Sequence, residues 1–107
     1  MKIYEGKRSD GGVGGQTIVV QDNADKYLLE HIERHSPDGF NWSFGGSGPA
    51  DTALSILTDC LGMEQANQLY QMFKWQFVAG WGNEWSITEK EIREWAEKAE
   101  NELLYLN

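Results

Sequence analysis

The sequence predicts an α+β domain: a small antiparallel sheet packed against about four helices. Three observations carry this. Strand-like alternation opens the chain and returns across a glycine-rich turn. Amphipathic helical periodicity fills the middle and the end. A short β-prone run, Glu84-Trp85-Ser86-Ile87, separates the last two helical stretches. At 107 residues the chain reads as one domain, 1–107, with room for a single modest core. Five Trp, four Tyr and four Phe make that core aromatic.

Residues 2–7 alternate with period two and form the first strand, and 16–20 form the returning one. Between them, Gly11-Gly12-Val13-Gly14-Gly15 reads as a mobile hairpin tip; no basic residue follows within the second strand to make it a phosphate cradle. Asp22 or Asn23 can cap a short helix over about 24–35, with Leu28 and Ile32 on one face and Tyr27 beside them. His31 and His35 would share a face there. In His-Ile-Glu-Arg-His, however, the glutamate is out of place for a zinc-protease motif and no third ligand can be named. No metal is therefore assigned. His31 is placed at the surface, and His35 is given a hydrogen bond to the turn that follows Pro37.

Gly45-Gly46-Ser47-Gly48-Pro49 leads into a helix over about 49–61. Pro49 suits the first helical position, Gly48 or Ser47 the N-cap, and Asp51 the first turn. A glycine loop at a helix start can bind an anion, yet the Lys-Ser/Thr pair of a P-loop and the dinucleotide fingerprint are both missing. A structural turn is the preferred reading. Leu54, Leu57 and Leu61, broadened by Ala53, Ile56 and Cys60, face the core, and Gly62 stops the helix. The next helix, about 64–79, carries Ala66, Leu69, Tyr70, Phe73 and Phe77 on one stripe and returns antiparallel to the first. Lys74 either snorkels at the core edge or pairs with a partner. After Gly80-Trp81-Gly82-Asn83 and the third strand, Thr88 and Glu91 form a capping box for the last helix. Ile92, Trp95, Ala96, Ala99 and Leu103 turn inward on it, and Glu94 and Glu97 lie among the outward charges.

His-Ser-Pro-Asp-Gly-Phe-Asn-Trp (35–42), Gly-Gly-Ser-Gly-Pro-Ala (45–50), Leu-Ser-Ile-Leu (54–57) and Leu-Tyr-Gln-Met-Phe-Lys-Trp (69–75) together resemble a family of small uncharacterised bacterial and phage proteins. That family carries an HSPxGFxWGxGGSGP run, then a helix and an LYxxFKW segment. Met1-Lys2-Ile3-Tyr4 and Trp85-Ser86-Ile87-Thr88 resemble its ends, so the likeness covers most of the chain. Ser43-Phe44 stands where the family has Gly-Tyr, and the glycines at 11–15 are not part of the pattern. The resemblance implies no activity.

A net charge of −8 argues against binding a phosphate backbone and favours a basic partner or imitation of nucleic-acid charge. The acidity is spread along the chain rather than gathered in one run. One cysteine, Cys60, leaves no internal disulfide and fits a reducing compartment. With no signal-peptide pattern and no apolar run of membrane length, a cytoplasmic location without membrane contact is expected. No cofactor is called for. Ser47, His35 and Asp38 can be drawn as a triad, but a triad is defined by geometry, and no catalytic residue is assigned. The preferred function is a non-enzymatic protein-binding domain. Its concrete form is an anti-CRISPR-type inhibitor that occupies the basic nucleic-acid surface of a host complex. The alternative is a small-ligand or anion-binding protein, or a small enzyme, using the 45–49 loop with His35. Candidate contact residues are His35, Phe40, Trp42, Phe44, Gly46, Ser47, Gly48, Asp51, Glu94 and Glu97. Exposed rings at Trp42 and Phe44 favour a protein partner; a concave pocket at His35 and the loop amides favours a ligand.

Overall fold

The chain's alternating segments pair into one sheet. A computed structural model describes residues 1–9 and 15–106. Its strands are β1 (Lys2–Lys7), β2 (Ile18–Asp22), β3 (Asp25–Leu28) and β4 (Glu84–Thr88). They form a four-stranded antiparallel sheet in the order β3-β2-β1-β4. The predicted hairpin and third strand are both present; most of the glycine-rich tip between β1 and β2, residues 10–14, lies outside the described residues. The helices are α1 (Ser47–Leu61), α2 (Met63–Gln76) and α3 (Glu89–Leu106), and a 3₁₀ turn at Val78–Gly80 follows α2. The class is α+β, with three helices rather than about four and with a strand more than expected.

The difference lies in residues 24–35, which are not helical. Asn23 adopts a φ of 57°, which Asn tolerates better than most residues, and closes a two-residue hairpin in which Asp22 pairs with Asp25. The chain then leaves β3 with its amides directed at side chains of α1. Ile32 N–H donates to Ser55 Oγ at 2.9 Å, and the N–H groups of Arg34, His35 and Ser36 donate to Asp51. Those acceptors replace the i→i−4 bonds that a helix would supply.

One face of the sheet, through Tyr4, Ile18, Val20, Trp85 and Ile87, closes on a core shared with Leu54, Leu57, Leu69, Phe73, Ile92 and Ala96. α1 is buried from Gly48 through Leu57. Gly62, at a φ of 95°, turns the chain directly from α1 into α2. Two polar knots fix the sheet to the helices. Asp59 near the end of α1 accepts hydrogen bonds from Tyr4 Oη at 2.6 Å, Tyr27 Oη at 2.8 Å and Lys2 Nζ at 3.1 Å. Burial first, and then the bond to Asp59, push the Tyr4 phenol well above its ordinary range. At the start of α3 the expected capping box forms: Glu91 N–H donates to Thr88 Oγ1 at 3.1 Å, and Thr88 N–H donates to Glu91 Oε1 at 3.2 Å. Cys60 is buried, and that burial raises its thiol pKa, which leaves it a poor nucleophile. Among the described residues no helix is long and apolar enough to cross a membrane.

Candidate functional site at the glycine loop

Two side chains organise the segment from His31 to Pro49. The first is Asp51, in the second turn of α1 rather than the first, with 0% of its surface exposed. Its carboxylate accepts from the backbone N–H groups of Arg34 at 3.2 Å, His35 at 2.9 Å and Ser36 at 3.0 Å, and lies 2.9 Å from His31 Nε2. Burial on its own would raise the pKa of this acid. The bond from His31, then those from the Ser36, His35 and Arg34 amides, outweigh burial and hold it below the ordinary carboxylate range. Asp51 thus serves the loop laid over the helix and is not a charge placed for the helix dipole. His31, expected at the surface, is half-buried, with its ring edge-on to Phe40 at 5.0 Å.

The second is Arg8, just beyond β1. Its guanidinium donates to Asn41 Oδ1 at 2.6 Å, the Trp42 carbonyl at 3.0 Å, Ser43 Oγ at 2.9 Å and Asn83 Oδ1 at 3.2 Å. It also lies over the Trp42 ring at 5.2 Å. Ser43 has a φ of 82° and is held there by three further groups: its N–H donates to Val78 O, its hydroxyl donates to Trp81 O, and its Oγ accepts from Arg8. Such a backbone position suits glycine better than serine.

The predicted residues fall into three groups. Phe40 and Trp42 are core residues, not surface rings; Trp42 meets Trp85 edge-on at 5.4 Å. His35 is exposed but its ring is engaged by Tyr70, Nε2 to Oη at 2.9 Å, with the two rings stacked. Phe44 is 50% exposed, Ser47 is exposed, and Glu94 and Glu97 are exposed on α3. The glycines permit close approach. A Cβ on Gly45 would stand 2.1 Å from the Trp75 ring, one on Gly46 2.5 Å from the Phe44 ring, and one on Gly48 2.8 Å from Asn41 Cβ. Trp75, 63% exposed, and Arg8 were not singled out by the sequence. Arg8 acts only through contacts distant in sequence. A tryptophan off the apolar stripe of α2 was the available signal for Trp75.

These contacts yield unequal costs at neighbouring glycines. Gly48→Ala is expected to lose about 1–3 kcal/mol, because Gly48 is buried and Asn41 offers Cβ and backbone rather than a movable tip. Gly46→Ala is expected to lose less than about 1 kcal/mol, since the exposed Phe44 ring can swing aside. Urea denaturation of both variants checks the order; a larger loss at Gly46 would contradict it.

The fold and its pinned loop define a two-layer α+β domain whose second layer is a helical hairpin with α3 beside it. The model of a family of unknown function, DUF6166, matches residues 4–98, and the chain belongs to that family. No curated protein and no solved structure matches the chain.

Proposed function

We propose that this protein is a non-enzymatic protein-binding module, of bacterial or phage origin and acting in the cytoplasm, whose partner surface is the outward side of α3. The observation that carries the reading is the make-up of that helix. Its inner side is sealed by Ile92, Ala96 and Ala99, while its outer side presents Glu94 and Glu97 and ends in Leu104 and Tyr105, 73% and 93% exposed. Large apolar side chains beside carboxylates on a rigid support have the composition of an interface for a basic partner. The net charge of −8 agrees in sign. In its most specific form the partner is the nucleic-acid channel of a host complex, occupied as an anti-CRISPR-type inhibitor would occupy it.

The test is affinity capture from host lysate at low and high salt, comparing the parent with a Glu94→Lys/Glu97→Lys variant. Both sites are exposed, and the Lys90–Glu94 pair, at 3.9 Å on the surface, contributes little to stability. The variant is therefore expected to fold like the parent. The parent should retain a nucleic-acid-binding complex that high salt releases and the variant does not capture. Equal capture by both proteins, or no captured complex, would sink the reading.

A further inference from the structure

We propose that the groove where the start of α2 meets the end of α3 is a docking site for a basic, amphipathic α-helix of a partner protein. This deepens the reading of α3 as a partner surface and rests on it, since Leu104 belongs to both. α2 and α3 lie side by side in opposite directions. At one end Trp95 Nε1 donates to Gln76 Oε1 at 2.8 Å; at the other, Gln68 and Leu103 border the same hollow. That second end holds two adjoining hollows. One, of about 460 Å³, lies against Leu61, Met63, Glu64 and Glu100; the other, of about 550 Å³, lies against Gln68, Glu100, Leu103 and Leu104. Gln68 and Glu100 border both, which joins them into one groove.

Two features of the lining say what fits. The first is apolar surface. Met63, at the first position of α2, is 44% exposed, and Leu104 is 73% exposed. Large apolar side chains left at the rim of a hollow are seats for the apolar anchors of another molecule, and a methionine adapts its shape to them. The second is charge. Glu64 and Glu100 border the groove from opposite helices, and among the described residues neither has a cation within ion-pair distance. Carboxylates that flank an apolar strip are complementary to lysines or arginines that flank apolar anchors.

The shape of the occupant follows from what borders the groove. Among the described residues no strand lines it, so an extended segment would find no row of free backbone groups to pair with. Recognition therefore runs through side chains, and a groove between two helices receives a third through anchors at i, i+3, i+4 and i+7. A second copy of this chain does not suit it. The exposed amphipathic helix of that copy is α3, which would set Glu97 and Glu100 against the Glu64 and Glu100 of the first. An anionic lipid surface is repelled by the same carboxylates and by the net charge of −8.

The experiment titrates the whole protein, labelled at its backbone amides and its methionine and leucine methyls, with three synthetic peptides of about 18 residues, roughly five helical turns. The first is a leucine–lysine helix with its leucines on one face. The second has the same composition in scrambled order, and the third carries glutamate in place of lysine. Saturable shifts are expected only from the first, centred on Met63, Gln68, Glu100, Leu103 and Leu104. Glu64→Gln/Glu100→Gln should weaken its binding about tenfold, and Leu104→Gln by a similar factor. Glu64 and Leu104 are exposed and Glu100 is half-buried, so these variants should melt like the parent. Equal binding of the scrambled peptide, shifts centred elsewhere, or variants that bind like the parent would overturn the groove. Saturable shifts at the same residues from phosphatidylglycerol vesicles, or from self-association as the protein is concentrated, would overturn the occupant. If the peptide fails while lysate capture still depends on Glu94 and Glu97, the groove falls and the α3 surface stands. If the peptide seats in the groove and no complex is captured, the groove stands and the nucleic-acid complex falls.

Discussion

Asp51→Asn is expected to lower stability by about 3–5 kcal/mol, among the largest losses that one substitution in this chain can cause. The carboxylate is fully buried and accepts three backbone N–H bonds besides facing His31. Asparagine keeps a single acceptor oxygen and turns an NH₂ group toward donors, leaving amides of the 34–36 segment desolvated and unpaired. Equilibrium urea denaturation measures the loss, and the same variant carries a pH signature. The folded-state pKa of Asp51 is depressed, so its contribution is fully present above the ordinary carboxylate range. Below about pH 4 the unfolded chain takes up a proton that the folded chain refuses, and the contribution falls away until the depressed pKa is passed. The parent should therefore lose stability more steeply than Asp51→Asn as pH drops from 5 toward 2 (the range about one to two units either side of a free aspartate). Parallel acid limbs in the two proteins would show that the carboxylate is not the group responsible.

How much of this could be read from the residues depended on the range over which each interaction acts. The capping box of α3, the glycine stop at Gly62 and the alternation of β1 are settled by neighbours within a few positions, and the sequence shows them directly. The 24–35 segment shows the opposite case. Its Leu28 and Ile32 spacing matches a helix as well as it matches a strand followed by an irregular run. The decision is made by Asp51 and Ser55, some twenty residues on, which offer its amides a better set of acceptors. An aspartate set among the apolar residues of α1, Asp51, was the one available hint. Of the rings expected to be exposed in the 40–44 loop, Phe44 is exposed. The sequence could not tell which of the neighbouring aromatics turned inward, because Phe40, Trp42 and Phe44 alternate through a loop of irregular backbone where neither helical nor strand periodicity applies.

Trp42→Ala should cost a further 3–5 kcal/mol, roughly the range for deleting a large buried aromatic. Trp42 is fully buried and sits where three separate parts of the chain meet: its ring crosses Trp85 of β4 edge-on, the Arg8 guanidinium covers it, and its backbone carbonyl receives that same guanidinium. Removing the indole opens a cavity at the junction and strips Arg8 of its ring contact. Trp42→Phe separates the two effects. Among the described residues Trp42 Nε1 and Trp85 Nε1 are buried without a hydrogen-bond partner, so phenylalanine at 42 forfeits no hydrogen bond while keeping a ring under Arg8. Its cost should be near 1–2 kcal/mol, roughly the share due to lost volume alone. Thermal or urea melts of the two variants give the comparison. If Trp42→Phe proved as damaging as Trp42→Ala, the indole N–H would have to be making a bond that anchors the loop. If neither variant lost stability, the motif's tryptophan would belong to function rather than to the core.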